Sequence, residues 1–177
     1  MIRRFLVEGV GWRSGDRLTA SSIRDQKEQG MTAGIRANDE ARLRALIDDQ
    51  AKAIRAKDVD GSVACYAPDV LLFDVVKPLR YVGSEAARKR LAEWFASFQG
   101  PVGYELRDLA ITTGDDAAFA HSLNRVSATT TDGKNPDMWW RATVCYRKFD
   151  GEWMVTHVHA SVPFDVASGQ ASLDLEP

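Results

Sequence analysis

Apolar residues recur at helical spacing early in the chain. The first predicted helix begins near Asn38, which suits the N-cap position, and Asp39 in its first turn suits the positive end of the helix. Its buried stripe contains Leu43, Ile47, Gln50 and Ile54. Gln50 stands out because it places a polar side chain on an otherwise apolar stripe.

A second helix and the first strand are both short. The helix begins within the DVD triplet at 58–60, carries Tyr66 on its apolar face and ends at Pro68. Residues 70–76, VLLFDVV, form an apolar run that is typical of a buried strand. The segment 80–82 is predicted to be its short partner strand.

A third helix follows this strand pair. Ser84 is the predicted cap of the helix, and the Gly100–Pro101 pair ends it. Its inner stripe consists of Ala87, Leu91, Trp94, Phe95 and Phe98. This stripe is rich in aromatic residues, so Trp94 is a candidate for the wall of a ligand pocket as well as for the core.

The second half of the chain alternates apolar and polar residues and is predicted to be β-structure. Asp-Gly pairs at 132–133 and 150–151 are strong hairpin signals between strand-like runs. The strands are predicted near 102–112, 117–130, 137–149 and 153–163. Helices followed by an antiparallel meander predict the α+β class.

The predicted domain covers residues 38–165. Residues 1–37 show no clean period, so we expect an N-terminal extension that is partly disordered or loosely helical, with helix over 21–29. Residues 166–177 are predicted to be a C-terminal tail.

Composition and charge narrow the classes of partner. The chain has 177 residues, of which 45% are hydrophobic and 27% are charged, which is ordinary for a globular domain. Its net charge of -2 gives no electrostatic reason to expect a nucleic acid or a membrane as partner. Cys65 and Cys145 lie far apart in apolar settings, which favours reduced thiols in a cytoplasmic protein over a disulfide.

Asp74 stands inside the buried run VLLFDVV. A buried carboxylate is costly unless it is paired or used. One interpretation makes Asp74 a general base at a pocket. The other pairs it with Lys77, Arg80 or a backbone amide at the end of the strand.

The last strands add further candidate residues. His157 and His159 lie two residues apart, so both point to one face together with Trp153, Val155 and Ser161. That face could serve the sheet or a dimer, a pocket, or a metal that takes His121 as a third ligand. The spacing is weak evidence, and we predict no metal; the absence of a Gly-rich phosphate loop likewise implies no nucleotide cofactor.

On the preceding strand, alternation separates two sets of side chains. Trp140, Ala142, Val144 and Tyr146 form the more apolar face, which is the better candidate for lining a pocket. Arg141 would then face outward, toward a partner subunit. The alternative places Arg141 in the pocket as a source of positive charge.

Two stretches of the chain resemble a known superfamily. AKDVDGSVACYAPDVLLFD at 56–74, with Gly83 beyond it, resembles the ketosteroid isomerase segment that leads to the catalytic aspartate, and DGEWMVTHVHASVPFD at 150–165 is similar to the last strand of SnoaL-like proteins. The second stretch also resembles the association domain of calcium/calmodulin-dependent kinase. The resemblance is therefore to the nuclear transport factor two-like superfamily, in its ketosteroid isomerase-like and SnoaL-like branch.

This resemblance implies a cone-shaped fold of three N-terminal helices packed on a curved, mostly antiparallel sheet, and a homodimer formed through the sheet. It places Asp74 at the general base of the isomerases and His121 on the pocket wall, although a satisfied core histidine is an equal alternative. The isomerases also use a tyrosine and a second aspartate. The position of that tyrosine is Gln50 here, and the strand at 138–149 has no aspartate at the matching place.

The predicted function is that of a small-molecule-pocket protein without a cofactor. It would be an acid–base isomerase, cyclase or hydrolase that acts on a small apolar carbonyl compound, with Asp74 as the catalytic residue. The alternative is a non-catalytic ligand-binding or assembly domain. Substrate-binding candidates are Gln50, Trp94, His121, Trp140, Arg141, His157 and His159.

Overall fold

In a computed structural model of the chain, the structure describes residues 20–177, with side chains from residue 27 onward. The described residues divide into two units, 20–34 and 35–177. Of the first unit, the described part is helical. The elements in chain order are α1 (Ala20–Ala56), α2 (Val59–Val63), β1 (Tyr66–Phe73), β2 (Tyr81–Val82), α3 (Ser84–Ala96), β3 (Phe98–Thr113), β4 (Ala117–Thr130), β5 (Asp137–Phe149) and β6 (Glu152–Ser161).

The second unit has an α+β fold. Within the described residues, six strands form one sheet in the order β2-β1-β6-β5-β4-β3, and every pair is antiparallel except the parallel pair of β1 and β6. Three helices are present in the same part of the chain, and α3 follows the first two strands. No helix of residues 20–177 is both long and apolar enough to span a membrane.

The predicted start of the first helix was wrong. Asn38 lies inside α1, which already runs from Ala20, so it caps nothing. Asp39 is 3% exposed and accepts hydrogen bonds from Lys148 Nζ at 2.7 Å and Trp153 Nε1 at 3.1 Å. The acid that suited a helix start instead joins α1 to β5 and β6 inside the second unit.

Two further boundaries also differ from the prediction. Tyr66 begins β1 instead of ending a helix, and Pro68 lies where the β1–β6 register shifts between Tyr66 and Leu71. A proline is tolerated there because the ladder is already interrupted. Helix α3 begins at Ser84 with Gly83 as its N-cap and no side-chain cap bond, and it ends at Ala96, so Gly100–Pro101 falls in β3.

The main core lies between α1 and one face of the sheet, which we call the inner face. Leu43 and Ile47 of α1 pack there against buried residues of the strands, including Val70, Tyr146 and Val155. Burial of such side chains contributes about 1.5–3 kcal/mol each relative to exposure. The predicted alternation on 117–130 and 137–149 is confirmed by β4 and β5, whose bounds are the same.

A β-bulge in β6 changes the predicted faces of that strand. Cys145 pairs with His157 while Tyr146 pairs with Val155, so Thr156 is the extra residue. An extra residue reverses the alternation beyond it. Trp153 and Val155 therefore face inward while His157 lies on the opposite, outer face of the sheet, which corrects the prediction that these residues share one face.

Candidate functional site

A cavity of about 210 Å³ lies between α1, α3 and the inner face of the sheet. Its wall is mainly apolar, with contributions from Ile47 and Ile54 of α1 and Leu91 of α3. Eight of its lining side chains are polar or charged. They are Gln50, Tyr66, Asp74, Arg90, Tyr104, Ser122, Asn124 and Tyr146.

Asp74 lies directly after β1 and lines this cavity. Its Oδ2 accepts a hydrogen bond from Arg90 Nε at 2.8 Å, and its Oδ1 accepts one from the backbone N–H of Val75 at 2.7 Å. The side chains of Asp74 and Arg90 are 19% and 18% exposed. Asp74 therefore lines a pocket and is also paired. The expected backbone amide is one partner, while the charged partner is Arg90 instead of Lys77 or Arg80.

Arg90 was missed by the sequence analysis. It lies three residues after Ala87 and four before Trp94, and all three line the cavity on one stripe of α3. The signal was available, because a charged residue on an apolar stripe is the same anomaly that singled out Gln50.

Gln50 uses its amide group inside the protein. Its Nε2 donates to the backbone oxygen of Ser62 at 2.9 Å and to the hydroxyl of Tyr66 at 3.2 Å. Both amide hydrogens therefore have acceptors inside the protein, although the Gln50 side chain lines the cavity as a binding candidate would. The Gln50 amide therefore holds the hydroxyl of Tyr66 in place.

Tyr66 is held as a neutral phenol. Burial raises its pKa to about 12, against the opposing effect of the Gln50 hydrogen bond. Its oxygen accepts from Gln50, and within the described part of the chain its own O–H has no acceptor. A lining hydroxyl of this kind can donate a hydrogen bond to an oxygen in the cavity.

A second tyrosine is held in the same way from β4. Ser122 Oγ donates to Asn124 Oδ1 at 2.7 Å, and Asn124 Nδ2 donates to the Tyr104 hydroxyl at 3.0 Å. Burial raises the pKa of Tyr104, and it also raises that of Tyr146, so both remain protonated at neutral pH. Sequence analysis missed this group, although Ser122 and Asn124 interrupt the apolar inner face of β4.

The two predicted tryptophans line the cavity. The ring of Trp94 lies 5.3 Å from that of Phe98, and the ring of Trp140 lies 5.9 Å from that of Tyr104, measured between centroids. Each is thus both a packing residue and part of the wall. As alternation predicted, Trp140 shares this inner face with Ala142, Val144 and Tyr146.

Neither His121 nor Arg141 lines the cavity, so these two candidates for substrate binding are not brought to it, and Arg141 faces outward as the alternation of its strand predicted. Ala120 and Ser122 line the cavity, so His121 between them points to the outer face, where it is exposed. Arg141 is exposed on the same face for the same reason, since its neighbours on both sides point inward.

The other two histidines also lie away from the cavity, because the bulge at Thr156 turns them outward. Nδ1 of His157 donates to the backbone oxygen of Leu71 at 2.8 Å, and the Phe73 ring lies 4.9 Å from the His157 ring and 5.8 Å from that of His159. Among the described side chains, no three His, Cys, Asp or Glu residues are grouped in a way that could hold a metal ion.

The comparisons with known proteins agree with this fold. The family described as SnoaL-like domain matches residues 43–165. An NTF2-like protein of unknown function from Pseudomonas putida KT2440 is 35% identical over 80% of this chain and 98% of its own, with a TM-score of 0.73. Curated proteins gave no match.

More distant structures share the fold alone. A ketosteroid isomerase-like protein from Erwinia carotovora atroseptica is 21% identical over 68% of this chain and 93% of its own, with a TM-score of 0.59. A protein from Streptomyces avermitilis, named as a candidate dehydratase of the NTF2-like family, is 14% identical over 71% and 97%, with a TM-score of 0.62. The family match covers more than half of the chain, and together with the 35% identity to the NTF2-like protein it shows that the chain belongs to the SnoaL-like family of the NTF2-like superfamily.

Proposed function

We propose that the chain is a cofactor-independent acid–base enzyme that moves a proton at a carbon next to a carbonyl group in a small, largely apolar compound. The observation that carries the proposal is that one carboxylate, Asp74, and several neutral phenol hydroxyls line the same largely apolar cavity. Isomerisation, cyclisation and elimination of water all begin with such a proton transfer.

Asp74 is the proposed base. Each of its oxygens accepts one hydrogen bond, from Arg90 or from Val75, and a carboxylate has about four lone-pair sites. The remaining lone pairs can accept a proton from a substrate carbon. The electron pair of the C–H bond then forms a carbon–carbon double bond while the π pair of the carbonyl group moves onto its oxygen, and the same carboxyl group returns the proton at another carbon.

Tyr66 and Tyr104 are the proposed donors to the oxygen that becomes negative. Each hydroxyl already accepts a hydrogen bond from an amide, which leaves its own proton for the substrate. Preorganised donors of this kind are usually the largest electrostatic contribution to such a reaction. In the isomerases a tyrosine donates a hydrogen bond to this oxygen, and the position of that tyrosine is Gln50 here. Tyr66 and Tyr104 are proposed to provide the missing donor.

The test measures proton exchange on simple ketones, so the natural substrate need not be identified first. A panel of small ketones is incubated with the protein in D₂O, and loss of the proton next to the carbonyl is followed by ¹H NMR. We expect catalysed exchange for at least one ketone and a loss of roughly 100-fold or more in Asp74→Asn, the range for a general base.

Asp69→Asn is the matched control, because Asp69 is exposed on β1, the strand that leads to Asp74, and lies outside the cavity lining. Its exchange rate is expected to equal that of the wild type. Exchange at near wild-type rate in Asp74→Asn, or no catalysed exchange across the panel, contradicts the proposal.

The second candidate function is a ligand-binding or assembly domain without catalysis. It is favoured by the engagement of both Asp74 oxygens and of the Gln50 amide within the protein. In that case native mass spectrometry finds a stoichiometric small molecule that co-purifies unchanged, while the exchange assay is negative.

We also propose that a second copy of the chain covers the outer face of the sheet. Phe73 and Phe119 are 37% and 42% exposed, and Arg141 and His121 lie on the same face. Burying them against a symmetry-related face would form a homodimer. Light scattering that gives the monomer mass for the wild type would contradict this, and Arg141→Glu is expected to weaken the dimer.

A further inference from the structure

Arg90 provides the only positive charge among the described residues that line the cavity. Its side chain is 18% exposed, and its Nε is bound to Asp74. Its two terminal nitrogens have no hydrogen-bond acceptor in the described part of the chain. The guanidinium group is planar and presents its donors in a rigid fork, so fixing one edge through Nε also fixes the direction of the other.

The free edge of this fork is matched to one kind of partner. Two parallel N–H groups at the end of a guanidinium bind the two oxygens of a carboxylate, which is the strongest common hydrogen-bonded pairing for arginine. Asp74 occupies only the Nε side. Because Val75 also donates to Asp74, part of that negative charge is already compensated before a second anion arrives.

The size and chemistry of the rest of the cavity define the body of the partner. A cavity of about 150 Å³ lined by apolar side chains holds one benzene ring, and the cavity here is about 210 Å³. Leu91 and Trp94 follow Arg90 on the cavity stripe of α3, so the wall beside the guanidinium is apolar and partly aromatic.

The geometry points to a small aromatic carboxylate as the ligand class of this cavity: its carboxylate binds the terminal nitrogens of Arg90 and its single ring occupies the apolar interior. As a statement about the substrate, this inference rests on the proposed function and narrows the small carbonyl compound to one that also carries an acid group. As a statement about binding, it is tested without turnover.

The test is isothermal titration calorimetry with benzoate and with benzamide, its neutral counterpart of nearly equal size. We expect the wild type to bind benzoate at least tenfold more tightly than benzamide, because only the anion forms charge-assisted hydrogen bonds with Arg90. Arg90→Gln is expected to lose this tenfold preference.

Arg88→Gln is the matched control. Arg88 lies two residues earlier on α3, forms an ion pair with Asp60 and does not line the cavity, so its removal is expected to leave benzoate binding unchanged. If circular dichroism shows that Arg90→Gln is unfolded, Arg90→Lys keeps the charge without the fork and is expected to retain only part of the preference.

Three results would overturn the inference: equal affinity of the wild type for the two probes, no measurable binding of benzoate at millimolar concentration, or an unchanged preference in a folded Arg90→Gln variant. The proposed function fails separately. Benzoate binding that depends on Arg90, together with no proton exchange, leaves this inference intact and removes the enzyme. Proton exchange that depends on Asp74, together with no benzoate binding, leaves the proposed enzyme intact and removes this inference.

Discussion

Asp39→Asn tests the contact made by the acid that was expected in the first turn of a helix and instead joins α1 to β5 and β6. In the wild type, Asp39 accepts from Lys148 Nζ at 2.7 Å and from Trp153 Nε1 at 3.1 Å, and it is 3% exposed. An asparagine of the same shape can still accept from Trp153 through its oxygen. Its NH₂ group would then face the ammonium of Lys148, so that two donors meet and the ion pair is lost.

The expected cost follows from the burial of this pair. A hydrogen bond to a charged group contributes about 1.5–3 kcal/mol, and an unpaired buried charge costs several kcal/mol more. The Lys148 side chain is 20% exposed and can reach water, which limits the second contribution. We therefore expect the free energy of unfolding to fall by about 2–3 kcal/mol at pH 7.

The same carboxyl group gives the effect a defined pH dependence. Burial alone would raise the pKa of Asp39, but the hydrogen bonds from Lys148 and Trp153 and the charges of Lys148 and Arg42 outweigh it and hold the pKa below its usual value. A lowered folded-state pKa stabilises the protein above the unfolded pKa of about 3.9, and this contribution is lost as the pH falls through the folded value.

The assay is urea unfolding of the wild type and the variant between pH 7 and the lowest pH at which both fold. The difference in unfolding free energy should be constant above about pH 5 and shrink below pH 4. Asp49→Asn is the control, because Asp49 is 71% exposed and its pairing with Lys52 lies in solvent, so its loss is expected to leave the free energy of unfolding nearly unchanged. A loss below about 1 kcal/mol, or a difference that does not shrink in acid, would refute the reasoning.

Two further predictions concern the site and the sheet. Tyr66→Phe is expected to slow catalysed proton exchange roughly tenfold or more with little loss of stability, since Gln50 keeps its bond to Ser62; Tyr81→Phe, which alters a hydroxyl outside the cavity, should not slow it. Gly103→Ala is expected to cost about 1–3 kcal/mol in urea unfolding because the new methyl group meets the Ser127 hydroxyl, and Ser127→Ala should restore most of it. A rate that is the same in both tyrosine variants, or no rescue by Ser127→Ala, would contradict the respective prediction.

The sequence was most informative where a local pattern determines the structure. The strands β4 and β5 have the predicted bounds because alternation and the Asp-Gly turn between β5 and β6 act over neighbouring residues. The first residue of α1 could not be predicted from a local pattern. Asn38 is a good cap only where the preceding residues are not helical, and here the helix already continues through Gly30 and Gly34.

The candidate site was predictable only in part, for two physical reasons. The bulge at Thr156 reverses the faces of β6, and a strict period of two therefore grouped His157 with Trp153 and Val155, which lie on the opposite face. The partner of Asp74 comes from α3, sixteen residues away, and depends on how that helix packs against the sheet. The bulge has no local sequence pattern, and the stripe of α3 marks Arg90 as unusual without showing which residue it pairs with. Trp94 and Trp140, in contrast, were found because their own helix or strand period placed them inward.

A more general rule connects the residues that sequence analysis found with those that it missed. Gln50, Arg90, Ser122 and Asn124 each interrupt a stripe or strand face that is otherwise apolar, and all four line the same cavity. A polar residue at such a position needs a hydrogen-bond partner, and an open cavity beside it allows that partner to be a ligand. Gln50 and Asn124 are used internally, each to hold a tyrosine hydroxyl, while Arg90 retains donors that no described residue accepts. The position of a polar residue on an apolar stripe therefore locates the cavity, and the count of its remaining donors separates the residues that support the site from those that bind the ligand.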